Sequence, residues 1–226
     1  AAVVAHSADA GICLDGDADR LIMADEKGNI IDGDQILGCL ALVMQEKGTL
    51  SSNSVVGTVM SNCGLETMLG KAGIDLHRVA VGDRYILEKM RNDELNLGGE
   101  PSGHILMTDF ARSGDGLLTA LQMLTLLRGS TKKASELFNG FKPNPQRLEN
   151  LTGIDPIILQ SNSLRAAIRE IETGLGKRGR VLVRPSGTEA LIRVMVEAES
   201  EPLLTATMDA LILRITEEFR KIAKNQ

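Results

Sequence analysis

Apolar and polar positions alternate in blocks along the first 142 residues, and the blocks have the lengths of strands and helices. Short apolar runs are typical of buried strands, whereas apolar residues spaced three and four apart are typical of helices. The pattern predicts strands at 11–14, 21–23, 30–31, 55–59, 76–81, 95–97 and 105–107. It predicts helices at 3–8, 34–47, 65–72, 85–90 and 117–127, with Asp34 as the N-cap of the second. Strands that alternate with helices in this way indicate an α/β fold with a mixed sheet covered by helices.

The pattern changes after Lys142-Pro143-Asn144-Pro145, a segment that cannot be helical and predicts a linker. Beyond it the spacing predicts a strand near 157–159, a helix at 164–175, a hairpin over 180–198 and a final helix from 202 to about 223. We therefore expect an α/β part, a mixed sheet layered with helices, followed by a small α+β domain.

Three carboxylates stand at alternate positions between the first two predicted strands, in the segment Asp-Gly-Asp-Ala-Asp-Arg. Asp15, Asp17 and Asp19 repel one another unless a cation lies among them, and carboxylate oxygens are the ligands that Mg²⁺ prefers. A Mg²⁺ ion held in this way keeps positions open for a phosphate, which Arg20 can also bind. The segment therefore predicts a Mg²⁺ site.

The acidic segment is also compatible with two other structures, a calcium loop and a solvated turn. Its spacing also matches an EF-hand calcium loop, with Glu26 at the twelfth position. However, Arg20 stands where that loop requires Gly, and both flanks are too short and apolar for the EF-hand helices. A solvated acidic turn between two strands stays open as the alternative.

Three further segments carry side chains suited to a sugar phosphate. In Gly-Gly-Glu-Pro-Ser-Gly-His (98–104), a carboxylate and a hydroxyl suit vicinal sugar hydroxyls, although a polar turn explains them equally well. In Arg-Pro-Ser-Gly-Thr-Glu (184–189), a guanidinium, hydroxyls and a Gly-permitted nest suit a phosphate, and plain turn chemistry is the alternative. Gly82-Asp83-Arg84 opens a helix whose amino terminus favours an anion, or Asp83 is an ordinary N-cap.

Composition narrows the class of function. The net charge of −5, the absence of a basic block and the scarcity of aromatic residues (four Phe, one Tyr, no Trp) argue against a nucleic-acid or membrane-surface role. Cys13, Cys39 and Cys63 form no CxxC pair, which predicts reduced thiols in a cytoplasmic protein. No signal peptide and no apolar run long enough to cross a bilayer is present. The chain begins without Met, and we expect it to be part of a longer protein.

The acidic, sugar-type and phosphate-type motifs, in this order, resemble the α-D-phosphohexomutase superfamily. Within it, segments 57–66 and 81–85 are similar to the branch that acts on glucosamine phosphates. The resemblance implies an enzyme that interconverts glucosamine 6-phosphate and glucosamine 1-phosphate through a phosphoserine and a 1,6-bisphosphate. It also implies a place in the synthesis of UDP-N-acetylglucosamine and the cell wall.

The resemblance implies a role for each motif residue. The Mg²⁺ ligands would be Asp15, Asp17 and Asp19, and Arg20 would reach the phosphoserine. The substrate-binding residues would be Glu100, Ser102, His104, Asp83, Arg84, Arg184, Ser186, Gly187 and Thr188. Pro101 stands where the glucosamine branch usually carries Gln, so mutases of phosphomannose or phosphoglucose remain alternatives.

The serine loop of the family, Thr-Ala-Ser-His-Asn-Pro, has no counterpart here; Ser7 beside His6 is only superficially similar. The resemblance therefore implies the end of the second family domain with the metal loop (1–33), the third domain with the sugar loop (34–142) and the fourth with the phosphate loop (143–226). The expected partners are a phosphosugar and the preceding domains of the same protein, and a homodimer stays open. A non-catalytic phosphosugar-binding protein is the alternative from another class.

Overall fold

The computed structural model describes residues 1–186 and 191–224, which form two compact units, Ala1–Pro143 and Asn144–Gln226. Two sheets lie in the first unit and one in the second. The predicted class is confirmed, since a mixed sheet with helices precedes a small α+β unit. The finer division of the first unit at residue 33 stays a prediction.

The first sheet of the first unit is antiparallel, in the order β1-β2-β3. Its strands are β1 (Ala10–Leu14), β2 (Leu21–Asp25) and β3 (Ile30–Ile31), preceded by α1 (Ala2–Ala5). Leu14 pairs with Leu21, so the acidic segment 15–20 is the connection of a hairpin. The central strand β2 is anchored by Leu21 and Met23, which are fully buried.

The second sheet has the order β5-β4-β6-β7. Its strands are β4 (Ser54–Thr58), β5 (Asp75–Val79), β6 (Leu97–Gly99) and β7 (Ile105–Met107). Since β4 runs parallel to both β5 and β6, the segments that follow these three strands leave the sheet at one edge. In sheets of this kind, that edge is where ligands bind.

The helices of the first unit are α2 (Gly33–Glu46), α3 (Cys63–Lys71), α4 (Asp83–Asn92), α5 (Gly116–Arg128) and α6 (Ala134–Leu137), of which α6 was not predicted. The prediction of Asp34 as the cap of α2 was wrong, because Asp32 and Gln35 form a reciprocal capping box there. Asp34 instead lies in the first turn, fully buried.

The second unit has an antiparallel sheet in the order β8-β10-β9. Its elements are β8 (Gln146–Thr152), α7 (Asn162–Leu175), β9 (Gly179–Pro185), β10 (Leu191–Ala198) and α8 (Glu201–Lys224). The predicted strand near 157–159 was wrong: Pro156–Gln160 is a 3₁₀ turn, which Asp155 caps by accepting a hydrogen bond from the Ile157 amide at 2.9 Å. The two edge strands are β8 and β9, of which β8 is the more polar.

No helix within residues 1–186 and 191–224 combines the length and the apolar character that crossing a bilayer requires.

Candidate functional site

The three carboxylates of the acidic segment converge, as predicted. Asp15, Asp17 and Asp19 each place one oxygen within 4.8 Å of the others. The hairpin connection brings them together because Ala18 adopts a left-handed conformation, with φ of 59°, and its amide donates to the Asp15 carbonyl oxygen at 3.2 Å. The Arg20 amide donates to Asp15 Oδ1, also at 3.2 Å.

This donor set fits a hard divalent cation. Asp19 Oδ1 is buried and has no hydrogen-bond partner among the described residues, an arrangement that is unfavourable for a carboxylate unless something coordinates it. The guanidinium of Arg20 lies with its Nε 3.8 Å from Asp15 Oδ2 and offsets only part of the negative charge. Oxygen-only ligation by carboxylates is typical of Mg²⁺.

The start of α5 packs against the acidic segment and is hydrogen-bonded to it. The Gly116 amide donates to the Ala18 carbonyl oxygen at 2.9 Å. A Cβ atom at position 116 would lie 2.7 Å from the Arg20 carbonyl oxygen, so the close approach requires Gly. This role of residue 116 was not predicted, and the only local signal is a Gly immediately before the predicted helix at 117–127.

The sugar-type loop packs directly against the acidic hairpin. The Leu21 amide donates to the Gly103 carbonyl oxygen at 3.0 Å. Gly103 has φ of 91°, and a Cβ atom there would lie 2.1 Å from the Leu21 carbonyl oxygen. Next to it, Nδ1 of the buried His104 lies 3.1 Å from Asp19 Oδ2. Two motifs that are remote in sequence therefore form one structural unit.

Glu100 joins the sugar-type loop to the segment after β5. Its Oε1 accepts a hydrogen bond from the Gly82 amide at 2.9 Å, and its Oε2 accepts one from the Ser102 hydroxyl at 3.1 Å. Each carboxylate oxygen has a further lone pair for a sugar hydroxyl. The predicted pair of Glu100 and Ser102 is therefore in place, beside the amino terminus of α4.

Asp83 and Arg84 are exposed at the start of α4. The alternative interpretation of Asp83 as the N-cap was wrong, because Gly82 occupies the cap and Asp83 is the first helical residue. The Arg84 guanidinium lies 4.4 Å from the centroid of the Tyr85 ring and contacts the Tyr85 hydroxyl. This stacking restricts the Arg84 side chain at the start of α4.

The described part of the phosphate-type motif comprises Arg184 and Ser186; Gly187 and Thr188 lie outside the described residues. The Ser186 amide donates to the Leu191 carbonyl oxygen at 2.9 Å and closes the hairpin. Arg184 pairs with Arg193 across the strands. Residues that pair directly across antiparallel strands project from the same face of the sheet, so both arginines lie on one face.

Asp34 is a further acidic residue near the ligand edge of the second sheet. Its Oδ2 accepts a hydrogen bond from the Asn62 amide at 2.7 Å, which anchors the turn that follows β4. Burial raises the pKa of the Asp34 carboxyl to about 7, and the Asn62 amide opposes this rise. The sequence indicated a cap and gave no signal for this contact.

Family models match most of the chain. The phosphoglucomutase/phosphomannomutase alpha/beta/alpha domain III matches residues 32–143, and the phosphoglucomutase/phosphomannomutase C-terminal domain matches residues 146–214. The phosphoglucosamine mutase of Parvibaculum lavamentivorans is 52% identical over 209 residues, which are 92% of this chain and 47% of that protein. The chain spans about half the length of the curated relatives it matches.

Solved structures share the fold. A phosphoglucomutase/phosphomannomutase family protein of Burkholderia thailandensis has a TM-score of 0.79 and 23% identity, over 96% of this chain and 48% of that one. N-acetylphosphoglucosamine mutase of Aspergillus fumigatus, in complex with GlcNAc-6P and magnesium, has a TM-score of 0.77 and 21% identity, over 92% of this chain and 48% of that one.

Proposed function

Because this chain belongs to the phosphoglucomutase/phosphomannomutase family, we propose that it supplies the metal-, sugar- and phosphate-binding loops of a phosphoglucosamine mutase. This isomerase interconverts glucosamine 6-phosphate and glucosamine 1-phosphate. The observation that carries the proposal is the packing of the loop with Glu100 and Ser102 against the acidic hairpin, with His104 Nδ1 3.1 Å from Asp19 Oδ2. A hydroxyl-binding loop beside three convergent carboxylates suits a sugar phosphate and a divalent cation.

In this proposal Asp15, Asp17 and Asp19 hold Mg²⁺, which when bound neutralises negative charge on the transferring phosphoryl group. The side chain of Arg20 is half exposed and retains donors for the same phosphoryl group. Glu100 and Ser102 orient the sugar through its hydroxyls. Charge neutralisation and positioning of this kind make up most of the catalysis of phosphoryl transfer.

The second unit binds the phosphate that does not react. Arg184 supplies a guanidinium that can donate two parallel hydrogen bonds to a phosphate, and Ser186 supplies a hydroxyl. Gly187 and Thr188, which lie outside the described residues, complete the proposed loop. A charged pair at a desolvated site of this kind gives both affinity and orientation.

The phosphoryl donor in the proposal is a phosphoserine in another part of the complete protein. The serine transfers its phosphoryl group to the sugar monophosphate and forms a 1,6-bisphosphate. The bisphosphate then returns its other phosphoryl group to the serine, so that no phosphate is lost. In the cytoplasm, the product would enter the synthesis of UDP-N-acetylglucosamine for the cell wall.

A second candidate is a mutase of phosphomannose or phosphoglucose, which Pro101 leaves open because it departs from the Gln that the glucosamine branch usually carries there. The curated relative named phosphoglucosamine mutase, at 52% identity, favours the first candidate.

Turnover by the complete protein separates the two candidates. Glucosamine 6-phosphate, glucose 6-phosphate and mannose 6-phosphate are each supplied with Mg²⁺ and a catalytic amount of the matching 1,6-bisphosphate. We expect the highest kcat/KM with glucosamine 6-phosphate. Higher kcat/KM with a neutral hexose phosphate would contradict the proposed substrate, and no turnover of any of the three would contradict the reaction.

A further inference from the structure

We propose that His104 is a positioning residue for the metal ligand Asp19, and that it links the metal loop to the sugar loop. The inference rests on the proposed function only for the identity of the acidic loop as a cation site. The resemblance implies that His104 binds the substrate, and the geometry adds a contact of its Nδ1 with a carboxylate of the metal loop.

The two oxygens of Asp19 have different surroundings. His104 Nδ1 lies 3.1 Å from Oδ2, within hydrogen-bonding distance, whereas Oδ1 is buried and has no hydrogen-bond partner in the described part of the chain. The bond to Oδ2 restricts rotation of the carboxylate and leaves Oδ1 to coordinate a cation. Hydrogen bonds of this kind, which orient a ligand from outside the coordination sphere, tune metal affinity.

The imidazole of His104 is itself held in place. It is 7% exposed, and Gly114 packs against it: a Cβ atom at position 114 would lie 2.5 Å from both Cε1 and Nε2. The His104 carbonyl oxygen accepts a hydrogen bond from the Glu100 amide at 3.0 Å. A buried ring with its Nδ1 on Asp19 and its other edge against Gly114 is oriented toward the carboxylate.

The other two carboxylates lack such a contact with the sugar loop. Asp15 is bonded by Arg20 from within its own loop, through an amide at 3.2 Å and a guanidinium at 3.8 Å. Asp17 is exposed. Asp19 is therefore the ligand through which a movement of the loop that contains Glu100 and Ser102 would reach the metal.

The consequence is that removal of the Nδ1 donor weakens metal binding without removal of a ligand. Loss of an orienting hydrogen bond to a metal ligand lowers affinity by about 10- to 100-fold. The probe is Mn²⁺, titrated into the 226-residue chain and followed through the electron paramagnetic resonance signal of the free ion. This readout requires no turnover.

Four variants of the chain are compared. His104→Ala removes the donor, and His104→Gln moves it away from the Nδ1 position; we expect both to weaken Mn²⁺ binding by about 10-fold or more. His104→Asn places an amide donor near the Nδ1 position and restores most of the affinity. His6→Ala, a change at an exposed histidine at the end of α1, is the matched control and leaves the affinity unchanged.

A further variant, Gly114→Ala, tests the same contact if His104→Ala does not fold. This variant retains the imidazole but displaces it, and we expect weaker Mn²⁺ binding in a chain whose circular dichroism spectrum is unchanged.

Parent-like affinity in a folded His104→Ala chain would overturn the proposal, as would equal losses in His104→Ala and His104→Asn. If the parent and Asp17→Asn chains bind Mn²⁺ equally, the metal site of the proposed function fails as well. If Asp17→Asn weakens Mn²⁺ binding and His104→Ala does not, the role of His104 is overturned and the proposed metal site stands.

Discussion

At the scale of single residues, burial gives different chemistry to aspartates that the sequence presents as alike. Asp15 and Asp17 are exposed in the hairpin connection and free to approach a cation. Asp34 is 1% exposed, and burial raises its pKa to about 7. The sequence predicted the convergence of the first group because alternate spacing between strands is a local signal. It gave no such signal for Asp34, whose contact at Asn62 depends on tertiary packing.

The first prediction concerns Asp17→Asn in the complete protein. The substitution removes one of three negative ligands at an exposed position, so we expect a sharp loss of Mg²⁺-dependent turnover. The melting temperature without metal should stay the same or rise slightly, because repulsion among the carboxylates decreases. Steady-state kinetics and thermal unfolding measure both, with Asp75→Asn, at an exposed position at the start of β5, as the control. An unchanged rate and Mg²⁺ dependence would remove Asp17 from the site.

The second prediction is a pH dependence of stability that arises from Asp34. Its pKa is about 7 in the folded chain, against 3.8 for an ordinary aspartate carboxyl in water. Between these values the folded state retains a proton that the unfolded state has released. The free energy of unfolding therefore falls as pH rises from about 4 to about 7, by at most about 1.4 kcal/mol per pH unit, and levels off above that range.

The measurement is urea unfolding of the parent chain and of Asp34→Asn across this pH range. Burial also raises the pKa of Asp32, which both chains contain. The difference between the two stability profiles therefore reports on Asp34. We expect the variant to have the flatter profile. Identical profiles would show that Asp34 ionises in the folded chain as it does in the unfolded one.

At the scale of elements, the sequence predicted those whose apolar periodicity is strong. The spacing of Ile36, Leu37 and Leu40 predicted α2, and the structure buries all three. The edge strand β8 was not predicted. Its sequence is mostly polar, and in the structure its residues are alternately exposed and half-buried. The apolar run at 157–159 was read as a strand, although Pro156 and the cap at Asp155 favour a 3₁₀ turn.

The packing of the sugar-type loop against β2 was also not predictable. The close approach of the two backbones requires a glycine, and a glycine alone does not show in the sequence what packs against it. Gly103 occupies such a position, whereas Gly73 has a similar left-handed conformation, with φ of 72°, and nothing within 4 Å of its Cβ position. The two glycines look alike in sequence and differ in what surrounds them.

The third prediction uses this matched pair. Gly73→Ala introduces only the left-handed penalty of about 1–2 kcal/mol. Gly103→Ala adds a clash with the Leu21 carbonyl oxygen, so we expect a clearly larger loss of unfolding free energy, together with weaker Mn²⁺ binding because the loop that holds His104 shifts. Urea unfolding and a Mn²⁺ titration measure the two effects. Equal losses of stability would show that the loop accommodates the side chain.

At the scale of the whole molecule, each of the two units carries part of the proposed binding chemistry. The first has the acidic and sugar-type loops, and the second has Arg184 and Ser186 at a hairpin turn. Matches over 32–143 and 146–214 assign most of each unit to a domain of one family, and the acidic segment 15–20 precedes the first match. The order of the three motifs was predictable from the sequence; the linkage of the first two through His104 was not.

The fourth prediction is that Arg184→Ala weakens phosphosugar binding by the complete protein. Loss of one partner of a desolvated charge pair amounts to about 2–5 kcal/mol, or roughly thirtyfold or more in affinity. The melting temperature should hardly change, because Arg184 is only half-buried and lies beside the hairpin turn. Arg169→Ala, at an exposed position in α7, is the control. Equal calorimetric affinities of both variants for glucosamine 6-phosphate would show that the hairpin is only a turn.

The central claim is that this chain binds the metal and the phosphosugar while the phosphoryl donor lies in another part of the protein. The most direct test is an assay of the purified 226-residue chain beside the complete protein. Both receive glucosamine 6-phosphate, Mg²⁺ and a catalytic amount of the 1,6-bisphosphate. We expect turnover by the complete protein, and weak binding without turnover by the chain alone, because no segment of the chain resembles the serine loop of the family. Turnover by the chain at a rate near that of the complete protein would contradict it.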